Sequence, residues 1–98
     1  MVDENTVREH AQAHADAVVK GDLGRASGDL TDEAKQQAPG VMKQLPRPTT
    51  SATVEDVTAD GEEFVARIRY SGESDSTAVN SRWADQSGRP MITVLELN

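Results

Sequence analysis

Apolar residues recur with a helical period over the first twenty residues of the chain. Thr6 and Glu9 have the spacing of a capping box, which predicts that the helix starts at Thr6. Gly21 predicts its end, because glycine readily adopts the left-handed conformation that closes a helix. With successive residues about 100° apart, one face of this helix collects the apolar side chains. They are Val7, Ala11, Ala15 and Val18.

A second helical region follows, with a less regular pattern. Thr31-Asp32-Glu33 is typical of a helix start, where a side-chain oxygen and negative charge satisfy the first backbone amides. Pro39-Gly40 predicts the end of that helix, and Pro46-Arg47-Pro48 predicts the end of all helical structure. We therefore assign residues 1–46 to a helical segment.

After Pro48 the apolar period changes from 3.6 to 2, which is typical of strands. Asp60-Gly61 predicts a two-residue hairpin turn that places Val57 opposite Phe64. The predicted strands cover residues 51–59, 62–71, 77–84 and 90–97. Helices followed by strands predict an α+β fold, with N-terminal helices packed on a curved four-stranded antiparallel sheet. Residues 1–98 form one domain, with the sheet in residues 49–98.

The two faces of the predicted sheet differ in their expected roles. The face under the helices carries Phe64, Ile68, Tyr70 and Trp83. The opposite face is predicted to carry Val65, Ile92 and Val94. Since a 98-residue domain with 3% aromatic residues builds only a small core, we expect this second face to bury itself against another copy. The predicted partner is the protein itself, as a homodimer.

The charge and composition exclude several classes of function. A net charge of −7 disfavours nucleic acid and anionic membranes, which both require a positive field. The chain has no cysteine, so disulfides and thiolate metal sites are excluded. No apolar run approaches the roughly 20 residues that span a membrane. Residues 1–5 are polar and unlike a secretory signal, so we expect a cytoplasmic protein. We also expect no cofactor.

Three stretches resemble the nuclear transport factor 2-like superfamily, also called the ketosteroid isomerase-like or cystatin-like fold. They are residues 17–23 at the end of the first helix, residues 54–70 around Asp60-Gly61, and residues 81–92, which look like that family's final hairpin. The resemblance implies helices packed on a curved sheet. The superfamily contains enzymes, binding proteins and scaffolds, so this resemblance does not select one function.

His10 and His14 are the first candidates for chemistry. Four residues apart on a helix, they share a face, as helical metal pairs require, but the sequence offers no third ligand and we predict no metal site. His14 falls near the centre of the apolar face. We favour a core histidine hydrogen-bonded to the backbone or to a tyrosine.

The catalytic alternative uses the same histidine in a dry pocket. His14 beside Tyr70 or Asp56 would act as a general base, and Tyr70 would donate a hydrogen bond to a developing oxyanion. In the resembled isomerases, tyrosine and acidic residues do such work. Glu55 is predicted to pair with Ala66 on the Phe64 face, which makes it the acid to consider. The candidate catalytic residues are His14, Tyr70 and Glu55, and the candidate ligand-binding residues are Phe64, Ile68, Tyr70, Trp83 and His14.

Arginines of the second and third predicted strands form another candidate site. Arg67, Arg69 and Arg82 on one face would bind an acidic ligand through bidentate hydrogen bonds. The acidic surplus favours a simpler interpretation, an exposed face with cross-strand ion pairs to Asp56 and neighbouring acids.

The sequence leaves three functions open. We interpret the chain first as a homodimeric module that binds a small apolar or acidic ligand or a protein. The second interpretation is a cofactor-independent isomerase, cyclase or hydratase that uses His14 with Tyr70 or Glu55. The third is a pure dimerisation scaffold. An open apolar cavity beside His14 or Tyr70 would weigh against the scaffold, and a filled core would weigh against the other two.

Overall fold

The computed structural model describes residues 3–97, in which three helices precede four strands. The helices are α1 (Glu4–Lys20), α2 (Leu23–Ser27) and α3 (Asp32–Met42), and the strands are β1 (Ser51–Asp60), β2 (Glu63–Ser71), β3 (Ser76–Gln86) and β4 (Arg89–Leu97). The strands form one open antiparallel sheet in the order β1-β2-β3-β4. The predicted α+β class and the order of its elements are confirmed.

Helix α1 begins earlier than the capping-box spacing predicts. Asp3 is the N-cap, and its carboxylate accepts a 2.8 Å hydrogen bond from the backbone amide of Thr6. That hydrogen bond lowers the pKa of the Asp3 carboxyl. The prediction that the helix starts at Thr6 is therefore wrong, because Thr6 already lies in the first turn. The predicted end is confirmed, since Gly21 has a φ of 78° and closes the helix.

Two glycines give a matched test of this backbone geometry. At Gly21 a Cβ would meet no atom within 4 Å, but the positive φ strains any other residue, so Gly21→Ala is expected to destabilise the domain by about 1 kcal/mol. Gly40 lies inside α3, also with open space around it, and Gly40→Ala is expected to stabilise by about 0.5–1 kcal/mol. Urea unfolding followed by circular dichroism measures both changes. A change in the free energy of unfolding with the same sign in both variants would contradict the left-handed cap at Gly21.

Helix α3 continues through the proline that is predicted to end it. Thr31 is the N-cap, as the Thr31-Asp32-Glu33 pattern predicts, but the helix runs through Pro39 to Met42. The prediction of a break at Pro39-Gly40 is wrong. Ala38 and Val41 pack against the core on either side of Pro39. We infer that this packing outweighs the hydrogen bond lost at the proline.

The β1–β2 hairpin is shifted relative to the predicted pairing. Asp60 pairs with Glu63, so the turn consists of Gly61 and Glu62, and Val57 lies opposite Ala66. The predicted pairing of Val57 with Phe64 is wrong because the turn lies one residue further along the chain. A register shift between Val54 and Asp56 adds one extra residue to β1.

A second irregularity changes which face of the sheet Ile92 occupies. The register of β3 and β4 shifts between Arg82 and Trp83, so that Ile92 pairs with Trp83 and Val94 pairs with Arg82. Ile92 is fully buried in the core. The prediction that Ile92 shares an outer surface with Val65 and Val94 is wrong, because strict alternation along β4 does not hold across the irregularity.

The core lies between the helices and the inner face of the sheet, as predicted. Trp83 is fully buried, and its indole nitrogen donates a 2.9 Å hydrogen bond to Ser81 Oγ, which in turn donates to the carbonyl of Ala66. Ile68 and Tyr70 are buried beside it, and Phe64 is half-buried at the edge of the same cluster. The predicted position of these residues under the helices is confirmed.

A glutamine side chain from a helix contacts each edge strand of the sheet. On β1, Gln12 of α1 accepts a hydrogen bond from the amide of Val54 and donates one to the carbonyl of Ala52. On β4, Gln37 of α3 accepts a 2.6 Å hydrogen bond from the amide of Leu95. These bonds satisfy backbone groups that an edge strand otherwise exposes, and they fix both helices over the inner face.

Candidate functional site

An apolar cavity of about 130 Å³ lies between the three helices and the inner face of the sheet. Exposed Leu23 of α2 and Met42 of α3 mark the side on which it meets solvent. For comparison, a cavity of about 150 Å³ in another protein holds one benzene molecule. The space therefore suits a small ring or a short chain. Its inner lining includes His14, Val18, Leu30, Val41, Tyr70 and Leu95.

His14 brings a polar ring into this apolar wall. It is only 6% exposed, and its Nδ1 atom lies 3.1 Å from Oδ2 of Asp29. A carboxylate only accepts hydrogen bonds, so we assign the imidazole hydrogen to Nδ1, which leaves Nε2 as an acceptor. The ring also meets Trp83 edge to face, with 6.2 Å between ring centroids. Burial of His14 agrees with our favoured interpretation, but its partner is Asp29 and not the backbone, Tyr70 or Asp56.

Asp29 is held in place by the backbone between α2 and α3. Its carbonyl accepts a 2.7 Å hydrogen bond from the amide of Ile92, and the amide of Thr31 donates back to the carbonyl of Ile92 at 2.9 Å. This short parallel bridge attaches residues 29–31 to β4. The side chain of Asp29 consequently lies beside the start of β4, under α1.

Arg89 completes the group around the buried carboxylate. Its Nη2 atom lies 2.8 Å from Oδ1 of Asp29, while the Arg89 side chain itself is 53% exposed. Each carboxylate oxygen of Asp29 therefore has a hydrogen-bond partner, and the buried negative charge is paired with a guanidinium that reaches solvent. Arg89 is the first residue of β4.

Tyr70 contributes the second polar group of the cavity. Within residues 3–97, no residue hydrogen-bonds to its hydroxyl or to Nε2 of His14. In the same range, every fully buried side-chain nitrogen or oxygen has a partner. Neither atom is therefore fully enclosed by the protein, and both residues line the cavity. Burial raises the pKa of the Tyr70 hydroxyl, which keeps it protonated as a hydrogen-bond donor.

Glu55 is not part of this site. It is the extra residue of β1, and its carboxylate lies on the outer face, 3.1 Å from Nε of Arg67 and 3.0 Å from Nε of Arg69. The hydrogen bond from Arg69 lowers the pKa of the Glu55 carboxyl. The predicted position of Glu55 opposite Ala66 on the Phe64 face is wrong, because the register shift turns its side chain outward.

The outer face carries ion pairs between residues of different strands. Arg67 and Arg69 share Glu55, and Arg82 contacts Asp60 at 2.9 Å and Glu63 at 3.0 Å. The interpretation of these arginines as members of cross-strand pairs is confirmed. One of the acids, Glu55, is a neighbour of Asp56, as predicted, and the carboxylate of Asp56 itself accepts a hydrogen bond from Thr58.

Only two of the predicted ligand-binding residues, His14 and Tyr70, line the cavity. Ile68 and Trp83 are buried in the core, and Phe64 lies at its edge. Asp29 and Arg89 were missed. Nothing in the local sequence distinguishes Asp29 from the other acidic residues, and its partners lie 15 and 60 positions away.

Among residues 3–97, no cluster of three or more histidine, aspartate or glutamate side chains is arranged to hold a metal ion. His10 lies on α1 and is half-buried. None of the helices in this range has the length and apolar character needed to cross a membrane.

These features define the class of the protein: an α+β domain with an apolar cavity whose wall includes a histidine that is hydrogen-bonded to a buried carboxylate. No protein-family model matches the chain, and no curated protein is significantly similar to it in sequence. The nuclear transport factor 2-like resemblance stays a prediction.

Proposed function

We propose that this domain binds a small molecule in the cavity under α1, and that the part of the ligand inside the cavity is uncharged, mostly apolar and suited to carry one hydroxyl or carbonyl group. The observation that carries the proposal is an apolar space whose lining includes the polar side chains of His14 and Tyr70. Pockets for small ligands are commonly apolar with a few placed polar groups that fix orientation.

The polar atoms favour a neutral group inside the cavity. Nε2 of His14 accepts a hydrogen bond and the Tyr70 hydroxyl both donates and accepts, which suits a ligand hydroxyl. A ligand charge at this depth would lose its hydration without gaining an opposite charge, because Asp29 is already paired with Arg89.

Ligand titrations followed by the fluorescence of Trp83 test this proposal, since Trp83 packs against His14. We expect cyclohexanol to bind, and Tyr70→Phe to weaken cyclohexanol about fivefold while leaving methylcyclohexane unchanged, since one hydrogen bond is lost. Ala38→Leu should fill the space and abolish binding of both probes. Ala59→Leu, on exposed β1 surface, is the matched control. Unchanged binding by Ala38→Leu would refute the cavity as the binding site.

A second candidate function is cofactor-independent proton transfer, favoured by the pairing of His14 with Asp29. Nε2 would take a proton from the ligand, and the imidazolium formed would be stabilised by the Asp29 carboxylate 3.1 Å from Nδ1. The Tyr70 hydroxyl would donate a hydrogen bond to the oxygen on which negative charge develops. The proton, or a solvent proton exchanged for it, then returns from Nε2 to the ligand, which becomes neutral again as His14 is regenerated.

Exchange of the α-protons of cyclohexanone in deuterated water, followed by NMR, tests this second function. We expect the protein to accelerate exchange above the buffer rate, and His14→Gln to lower that acceleration about a hundredfold, as removal of a general base does. His10→Gln should leave the rate unchanged. Exchange at the buffer rate, with cyclohexanone bound, would restrict the domain to binding.

We propose, in addition, that the homodimer forms through the outer face of the sheet. With Ile92 in the core, the apolar side chains there include Val65 and Val94, which flank Arg82. A contact through this face would join apolar and ion-paired groups. Light scattering at micromolar concentration tests it, and a monomer mass would remove the proposal.

A further inference from the structure

A second concave surface adjoins the mouth of the cavity. This groove, of about 340 Å³, lies between the end of α1, the end of α3 and the loop over residues 43–50. Val18, Met42 and Leu45 line both the cavity and the groove. Met42 is 38% exposed, and its unbranched side chain adapts easily to a neighbour. The cavity and the groove therefore lie side by side, with Met42 at their shared edge.

Arg47 supplies the charge of this groove. It is the only ionisable residue that lines the groove among residues 3–97, and it forms no ion pair with any residue of that range. Its neighbours along the groove are mainly apolar, including Val18, Leu45 and Pro46. A guanidinium beside apolar surface, with no acidic partner of its own, is suited to an anionic group on an otherwise apolar molecule.

The loop that carries Arg47 is held against the sheet. Thr49 Oγ1 donates a 2.6 Å hydrogen bond to the carbonyl of Pro46, and Thr77 Oγ1 of β3 donates a 2.9 Å hydrogen bond to the carbonyl of Gln44. Gly72 packs so closely that a Cβ there would lie 2.8 Å from Pro46. The backbone on both sides of Arg47 is thus fixed before a ligand arrives, which lowers the entropy cost of binding.

We propose that the ligand is an amphipathic carboxylate, an inference that rests on the proposed ligand-binding function. Its apolar body occupies the cavity, its chain passes Met42, and its carboxylate pairs with Arg47. One guanidinium matches the two oxygens of a carboxylate. A phosphate would bring a second negative charge toward a protein whose net charge is already −7.

Three probes test the inference through the fluorescence of Trp83: cyclohexanol, decanoate and methyl decanoate. Cyclohexanol fills only the cavity, whereas the other two share one chain and differ in charge. We expect decanoate to bind most tightly and Arg47→Gln to weaken decanoate about tenfold, since a charge-assisted hydrogen bond is lost. The variant should leave cyclohexanol and methyl decanoate unchanged. Arg8→Gln, an exposed change on α1 away from the groove, is the matched control.

The outcomes separate this inference from the function on which it rests. Binding of cyclohexanol, with decanoate no tighter or equally bound by Arg47→Gln, would overturn the amphipathic carboxylate and leave the cavity function intact. Equal weakening of decanoate and methyl decanoate by Arg47→Gln would also overturn it, since charge would not be the cause. Binding of none of the three probes would overturn both proposals.

Discussion

Trp83→Ala is expected to lower the free energy of unfolding by about 3–5 kcal/mol, the usual cost of truncating a buried aromatic residue. Trp83 is fully buried at the centre of the inner sheet face, where it pairs across the strands with Phe64 and Ile92. Domains of this size have free energies of unfolding of about 5–15 kcal/mol, so the variant should lose a large part of its stability.

Trp83→Phe separates the contribution that the volume of this side chain makes to stability from the contribution of its hydrogen bond. Phenylalanine keeps an aromatic ring against His14 but removes the indole donor to Ser81 Oγ, so we expect a cost of about 1–2 kcal/mol. Urea unfolding followed by far-ultraviolet circular dichroism suits both variants, because neither retains tryptophan fluorescence. If the alanine variant were no less stable than the phenylalanine variant, Trp83 would not be the main support of the core.

The elements of the fold follow from local patterns in the chain. The apolar face of α1, the cap at Gly21 and the alternation along β2 each have a direct physical cause within a few residues, and each appears in the structure. The turn of the first hairpin and the break predicted at Pro39-Gly40 were wrong. At Pro39 we infer that the packing of Ala38 and Val41 against the core outweighs the local preference for a break.

The site was predicted only in part, because its decisive contacts join distant residues. His14 and Tyr70 were identified from their faces, since helix and strand periods are local. Glu55 was misplaced because a register shift in β1 leaves no clear mark in the sequence. Asp29 and Arg89 meet through the bridge between residues 29–31 and β4, which no local pattern predicts.

The buried carboxylate of Asp29 should make Arg89 more important for stability than its exposure indicates. Arg89→Met leaves a carboxylate that is only 3% exposed with His14 as its one side-chain partner. Removing one member of a buried ion pair costs about 3–5 kcal/mol, and since the Arg89 side chain is 53% exposed, we expect about 2–3 kcal/mol. Asp29→Asn should cost about 1 kcal/mol, because a neutral amide needs less compensation.

The double variant gives the sharpest form of this prediction. With Asp29→Asn in place, Arg89→Met no longer leaves a buried charge unpaired, so the double variant should be more stable than Arg89→Met alone. Urea unfolding of the four proteins, followed by Trp83 fluorescence, measures the cycle. Additive losses in the free energy of unfolding would mean that Arg89 stabilises the domain by packing its aliphatic carbons and not by pairing with the charge of Asp29. Rescue by Asp29→Asn would instead show that Arg89 compensates the carboxylate that holds His14 in the cavity wall.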